Sequence, residues 1–255
     1  MPKYFDIHSH LNFGDYEKDW EEVIGRMRET GTRTIVVGTD YESSKRTVEL
    51  AEQYPEIYAC IGVHPADNVS ASFEVDKFDK LVSRPKVVAV GECGMDFFHQ
   101  DKTQDFERQK KLFLNQIDFA MAHNKPIMIH ARDAYEEILQ ILESLGGPTA
   151  KLRGNVHFFA GDLTTAKRFI ELGFTLSFTG VITFANSYDE VIKSVPLSSI
   201  MAETDAPFVA PVPYRGKRNE PSYVVEVAKK IAEIRGSDFE EVRKALVENA
   251  LRMIM

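Results

Sequence analysis

Near the start of the chain, FDIHSH places His8 and His10 two residues apart behind an apolar run. On a helix that spacing sends side chains to nearly opposite sides, whereas on a strand it puts them on one face. Tyr4, Phe5 and Ile7 read as a strand, so the two imidazoles emerge together from its end. Two imidazoles on one face suit one metal ion. The plainer explanation is a chance surface pair, or a core histidine satisfied by a backbone carbonyl. Further residues with metal or phosphate chemistry end other apolar runs: Glu92 in VGECGMDF, His130 and Arg132 in IMIHAR, His157 in NVHFFAG and Asp205 in MAETDAPF. Singly, each has a bland reading as a core histidine, a loop carboxylate or a turn. Their value depends on whether the fold brings them together.

The positioning elements follow from hydrophobic patterning. β-branched, apolar runs recur at 4–8, 34–38, 58–63, 86–91, 126–130, 155–159, 175–179 and 199–203. Most are near-continuous, as expected of parallel strands covered on both faces. Segments of helical periodicity lie between them. In 105–123, Phe106, Phe113, Ile117 and Met121 fall on one stripe, while 133–147 and 164–173 end in glycines that suit a helix stop. Strand alternating with helix eight times predicts an α/β fold, a (β/α)8 TIM barrel, over a doubly wound sheet. No glycine-rich dinucleotide fingerprint follows the first strand. Helices around 221–235 and 238–254 are expected to close the barrel, giving a single domain over 1–255. A barrel of this kind carries its active site at the C-terminal ends of the strands. Four histidines, one glutamate and one aspartate therefore project from one rim, and an independent scatter of seven histidines would rarely do this. Such a set exceeds the needs of one tetrahedral ion and suits two cations bridged by a carboxylate.

Composition bounds the partners. The 255 residues carry a formal net charge of −8, so there is no global attraction to nucleic acid, although bound cations and one basic cluster can reverse the sign locally. No apolar run approaches the length of a membrane span, and a strand beginning by residue 4 leaves no room for a targeting peptide. Two cysteines, Cys60 and Cys93, are too few for a disulfide framework, so a reduced, cytoplasmic setting is expected. Nothing in the pattern calls for an obligate partner, and a monomer is the default.

The motifs FDIHSH, IGVHP, VGECGMDF, IMIHAR, ETDAPF and APVPYRGKRNEP resemble, in order and spacing, those of the TatD family of metal-dependent deoxyribonucleases, within the amidohydrolase-like barrels. The resemblance runs from residue 4 to the C-terminal helix. It implies that His8 and His10, with Asp205, hold one metal, that Glu92 bridges, and that His130 and His157 hold the second. It also implies that His64 and Arg132 face the substrate, and that activity depends on Mg²⁺ or Mn²⁺. The ligand set itself leaves Mg²⁺, Mn²⁺ and Zn²⁺ open. HFFAG stands where the family often has HCFSG, and GECGMDFF where GEIGLDYY is usual, so metal binding is untouched while pocket shape differs.

The residues then predict roles. Asp205 is the natural proton acceptor from the attacking water, with Glu92 as its partner at the metals; a pure ligand role is the alternative for Asp205. Arg132 shares a face with His130, and its planar fork suits two phosphate oxygens, unless it pairs with Asp133 or Glu203. Glu203, and less strongly Asp6, should orient the groups around the site. Arg215, Lys217 and Arg218 form the dense basic cluster of YRGKRNE after the last strand, suited to phosphates flanking the scissile one. So small a cluster favours a single strand or a chain end over duplex binding. His99 is undecided, and His123 is explained by a helix C-terminus. The expectation is a metal-dependent phosphodiesterase acting on DNA, a 3′→5′ exonuclease on single strands or ends. The alternatives are a carboxylic ester or amide hydrolase, for example a deacylase of an ester on nucleic acid, and a non-catalytic metal-binding regulator.

Overall fold

Each apolar run predicted as a strand forms one. The computed structural model describes residues 1–146 and 152–254. Among these, β1 (Tyr4–Ser9), β2 (Thr32–Val37), β3 (Ile57–Ile61), β4 (Val87–Asp96), β5 (Ile127–Arg132), β6 (Gly154–Val156), β7 (Phe174–Phe178) and β8 (Ile200–Ala202) make one parallel sheet in chain order. Past β8 the chain stays beside β1: the Asp205 N–H donates to His8 O at 2.9 Å and the His10 N–H to Ala206 O at 2.7 Å. That seam closes a single-domain (β/α)8 barrel.

The helices α1 (Trp20–Thr30), α2 (Tyr41–Gln53), α3 (Val75–Val82), α4 (Lys102–Ala122), α5 (Tyr135–Ser144), α6 (Leu163–Glu171), α7 (Asp189–Ser194) and α8 (Val224–Arg235) follow the strands in turn. Their ends obey local chemistry. Asp40 and Ser43 form a reciprocal capping box on α2, and α1 stops at Gly31 in the left-handed region. The α5 segment was expected to run to 147 but ends at Ser144, and Gly147 lies outside the described residues.

The last helix, α9 (Phe239–Ile254), crosses the N-terminal ends of the strands. Asn249 donates to the Leu197 and Ile200 carbonyls, and Arg243 to Lys3 O. Its Val247, Ala250 and Met253 join Phe5, Ile7, Ile35, Val37, Cys60, Ala89, Met128 and Met201 in one buried cluster. A larger apolar layer lies between strands and helices. One end of the barrel is thus plugged, and polar chemistry is left to the other.

Two irregularities matter for that other end. On β1, Asp6 pairs with Thr34 and Ser9 with Val36, so three steps oppose two. On β4, Val90 pairs with Ile127 and Cys93 with Ile129, again three against two. Bulges of this kind re-aim side chains beside active sites. They fall at Ile7–His8 and at Gly91–Glu92. The expected end of the fourth strand at Gly91 is therefore corrected: β4 continues to Asp96, with Glu92 inside it. The glycines that look like a turn are there because β4 presses on β5. At Gly91 (φ +148°) a Cβ would lie 2.5 Å from Met128 O, and at Gly94 (φ +140°) 2.1 Å from His130 O. Conversely, the sixth and eighth strands are shorter than expected, so His157 and Glu203 stand just beyond them.

These contacts set a paired expectation. Gly94→Ala should cost about 2–4 kcal/mol, from strain and backbone overlap. Gly25→Ala, inside α1 with nothing within 4 Å of the added carbon, should stabilise by about 0.5–1 kcal/mol. Urea denaturation of both variants checks this, and equal effects would contradict it.

Candidate metal centre

The bulges and the seam deliver six side chains to one point above the plugged core. His8 and His10 come from the end of β1, Glu92 from the bulge of β4, and His130 from β5. His157 follows β6, and Asp205 follows β8 with φ of 54°, held by its N–H on His8 O. Glu92 is 3% exposed and lies at the centre.

Its two oxygens face different partners. Oε2 lies 3.5 Å from His8 Nε2 and 3.7 Å from His10 Nε2. Asp205 Oδ1 lies 3.7 and 3.6 Å from the same two nitrogens, which are 3.1 Å apart. Donor atoms tetrahedral about a cation at ordinary Zn–N or Zn–O lengths are about 3.3–3.4 Å from one another. The set is spaced to hold a small divalent ion. Oε1 of Glu92 meets the second group: His130 Nδ1 and His157 Nε2 are each 2.7 Å away, and 3.3 Å from one another. These are hydrogen-bond distances, and the same three atoms can turn to a cation.

His10 and His130 are oriented by hydrogen bonds from behind, whereas the buried Nδ1 atoms of His8 and His157 have no hydrogen-bond partner among the described residues. His10 Nδ1 donates to Val37 O at 3.1 Å, leaving Nε2 with its lone pair toward the site. His157 Nδ1 lies 3.5 Å from Glu203 Oε1. Glu203 is itself held by the Phe158 N–H at 2.8 Å and the Ser177 hydroxyl at 2.5 Å. Glu203 is thus fixed behind His157 by donors other than the histidine itself. Asp6 acts on the backbone instead. Its Oδ1 accepts from the N–H groups of Thr204 (2.8 Å) and His8 (3.3 Å), and its Oδ2 from the hydroxyls of Thr34 and Thr204. It pins the seam between the first and last strands. Burial pushes its carboxyl well above the usual range, so these donors serve a largely desolvated group.

Asp96 was not singled out in the sequence, because the fourth strand was expected to end before it. It sits four residues after Glu92 on β4, which is the signal that could have found it. Fully buried, its Oδ2 lies 3.1 Å from His130 Nε2 and 2.7 Å from His99 Nδ1. Its Oδ1 accepts the N–H groups of Phe98 and His99. Burial alone would raise this carboxyl, but the hydrogen bonds from His130 and His99 outweigh it and hold it well below the usual range. An ionised carboxylate only accepts, so His130 donates from Nε2 to Asp96 and from Nδ1 to Glu92, and a cation bound at Nδ1 would replace the second of these protons.

The same balance governs Glu92: burial raises its carboxyl, while the charges of His157 and His64 and hydrogen bonds from His130 and His157 bring it far below normal. His10, His130 and His157 go the other way. Burial lowers each, but the neighbouring carboxylates prevail and raise them. Only His8 is lowered, first by burial and then by the charge of His157.

The site opens into a cavity of about 640 Å³. His64, Arg132 and His99 line it together with His130, Asp205 and Phe208. His64 is buried, with Nε2 3.6 Å from Glu92 Oε1, and its Nδ1 is engaged by the Ala66 N–H and the Asp67 carboxylate. Arg132 is exposed, and its guanidinium lies 4.0 Å above the Phe98 ring. No ion pair to Asp133 or Glu203 forms among the described residues. None of the three cations of the basic loop lines the cavity. Arg218 forks onto Asp19 (2.8 and 2.5 Å), donates to Asp15 O and stacks on Tyr16, tying the loop after β8 to the loop after β1. Arg215 lies 3.6 Å above the Phe184 ring, and Lys217 is exposed. His123 caps α4 beside Asp79, as its structural explanation requires.

Comparison with known proteins fits this geometry. The sequence model of the family described as TatD related DNase matches residues 5–255. The chain is 43% identical over 253 residues to the uncharacterized metal-dependent hydrolase YabD of Bacillus subtilis, covering 98% of each chain. It is 32% identical over 254 residues to the uncharacterized metal-dependent hydrolase YcfH of Escherichia coli K12, covering 97% of this chain and 94% of YcfH. Among solved structures, the TatD homologue YjjV of E. coli K12 superposes with a TM-score of 0.90 at 30% identity, covering 99% and 98% of the two chains.

Two outcomes follow from the orienting contacts. Asp96→Asn should weaken metal affinity by about 10–100-fold, as loss of a carboxylate behind a ligating histidine does elsewhere. Because the carboxylates raise the proton affinity of His10, His130 and His157, metal must displace protons, so affinity should climb as pH rises and uptake should release protons. Calorimetric titration in buffers of different ionisation enthalpy measures this release, and a buffer-independent heat would contradict it.

Proposed function

The chain belongs to the TatD-related DNase family and is a metal-dependent hydrolase; from that premise we propose that it is a two-metal 3′→5′ exodeoxyribonuclease acting on single-stranded DNA or DNA ends. The observation that carries this reading is the split of Glu92, one oxygen toward His8 and His10 and the other toward His130 and His157. In this reading Asp205 completes the first set and Glu92 is shared.

Divalent cations held by these residues would supply Lewis acidity, easing ionisation of a water and neutralising charge on the phosphate. The chain does the rest. Asp205, at the cavity edge with its side chain 13% exposed, accepts the proton of the attacking water. Arg132 offers its donor fork to the non-bridging oxygens, its plane braced by Phe98. His64 and His130 also line the cavity. Arg132 is the one Lys or Arg among the described residues lining the cavity, so the site holds one phosphate firmly and lacks a basic track for a duplex. Arg215 and Lys217 remain outside as contacts for a longer strand. Arg218 acts by holding the loop. A monomer in a reduced, cytoplasmic setting suffices for this activity, and both cysteines are buried free thiols.

The single cation in the cavity also supports a second reading, a carboxylic ester or amide hydrolase such as a deacylase of a nucleic-acid-linked ester. Such a substrate requires no more than one nearby phosphate.

The test is hydrolysis of single-stranded DNA labelled at either end, after chelation and with Mg²⁺, Mn²⁺ or Zn²⁺ restored. Mononucleotides should leave stepwise from the 3′ end, and Asp205→Asn should lower kcat by about 10²–10⁴-fold. Metal analysis should give two ions in the native protein, one in His130→Ala and neither in Glu92→Ala. A fully loaded protein that leaves every oligonucleotide intact while hydrolysing esters would transfer the assignment to the second reading.

A further inference from the structure

The cavity over the metal centre has two unlike walls. With the six ligand side chains set aside, its acids, histidines and arginine all come from one arc of strand ends, β3 to β5: His64, Asp67, Asp96, His99 and Arg132. The arc from β6 through β8 and across the seam to β1 supplies aromatic rings instead: Phe158, Tyr188, Phe208 and Phe13. Charge on one side and rings on the other match the two ends of a nucleotide, phosphate and base.

Phe208 is the open ring of the aromatic arc. It is 50% exposed, whereas the other three are half-buried. Its backbone is nevertheless fixed. The Phe208 N–H donates to Asp205 O at 2.9 Å, and its carbonyl accepts from Nδ2 of the fully buried Asn219 at 2.6 Å. The next residue, Val209, holds a left-handed φ of 50°, which is costly for a β-branched side chain. Its carbonyl packs so closely on Gly180 that a Cβ there would lie 2.5 Å away. Strain of this kind persists where the surroundings over-determine it, and it clusters at ligand clamps. The ring is also placed relative to the centre. Its centroid is 6.3 Å from that of His10 and 6.3 Å from that of Phe13, which itself stacks on His10 at 4.6 Å. A ring held open beside a metal ligand, three residues from Asp205, is within one nucleotide of a phosphate at the centre.

We propose that Phe208 is the platform on which the base of the terminal nucleotide stacks while its 5′ phosphate lies at Glu92, with Phe13, Phe158 and Tyr188 closing the apolar arc around it. The inference rests on the exonuclease reading and adds what is recognised at the chain end, the face of a base. Every base has such a face, so stacking tolerates sequence. The cavity, of about 640 Å³, suits a ligand of this size. Of the four rings only that of Tyr188 carries a hydrogen-bonding group, so the arc has little with which to read the edge of a base. A terminal base with an altered edge, as after deamination, is therefore accepted. An end that has lost its base is disfavoured.

The experiment compares kcat/KM for single-stranded oligonucleotides that differ only in the 3′-terminal nucleotide, which carries adenine, hypoxanthine or no base. The proteins are the metal-loaded native chain, Phe208→Ala and Phe208→Trp. The native protein should favour adenine over the abasic end by about 5- to 100-fold, the worth of one base–aromatic stack, and treat adenine and hypoxanthine alike within about twofold. In Phe208→Ala the adenine-to-abasic ratio should fall by at least about threefold, and Phe208→Trp, with a larger face, should retain it. Each ratio is taken within one protein, so a general loss of folding or metal cancels. Apart from turnover, the indole introduced by Phe208→Trp should be quenched by deoxyadenosine monophosphate and not by deoxyribose 5-phosphate. An abasic end removed as fast as adenine, an unchanged ratio in Phe208→Ala, a hypoxanthine end treated like the abasic one, or an indole that the nucleotide leaves unquenched would overturn the stacking role and leave the nuclease reading standing. Hydrolysis of none of the three oligonucleotides would overturn both.

Discussion

A buried carboxylate between two pairs of imidazoles is the constraint on which the upper half of this barrel depends. Glu92 is almost out of solvent, and a lone charge in that position would be severely penalised. It persists as an anion because four histidines and their own acceptors surround it. To reach that position, β4 bulges and presses on β5, which only glycine permits at 91 and 94. β1 bulges as well, turning His8 into the same centre. Behind the ligands, Asp96 and the Val37 carbonyl hold the rings of His130 and His10, and Glu203 stands 3.5 Å from His157 Nδ1.

The opposite end of the barrel answers this strain with ordinary packing. Aliphatic side chains from the strands and from α9 fill the interior below the site. Asp6 sits at the boundary, tying β1 to the segment after β8 through both of its oxygens. The strands that bear ligands are thereby held at their bases and at the seam. The loops above are braced separately, with Arg218 on Asp19 and Arg26 on Glu220 (2.7 Å). Rigid support below and braced loops above leave a cavity whose chemistry comes from strand ends, the usual arrangement in barrels of this class. The family likeness agrees with the shape and the metal dependence. Side chains that serve no metal, Arg132, His64, Phe208 and His99 among them, also face the cavity.

Much of this was legible in the amino-acid sequence, for identifiable reasons. The strands announce themselves because parallel strands buried on both faces are written as unbroken apolar runs, and a polar residue ending such a run is conspicuous. His8, His10, His130, His157 and Asp205 were visible in that way. Glu92 was visible as a residue but not as part of a strand, since glycines on both sides imitate a turn. Asp96 was hidden by the same error, and with it the contact that holds His99. The basic loop is a different case. Composition shows that Arg215, Lys217 and Arg218 are close in sequence, but whether an arginine reaches a substrate or a neighbouring aspartate depends on loop geometry between residues some two hundred positions apart. Long-range partners of surface charges leave no periodic trace.

The central claim is that the two oxygens of Glu92 divide the ligands into two adjacent cation sites. Anomalous diffraction from crystals soaked in Mn²⁺ tests it most directly. The account predicts two peaks flanking the Glu92 carboxylate, one among His8, His10 and Asp205 and the other between His130 and His157. A single peak, or two peaks of which either makes no contact with Glu92, would contradict it.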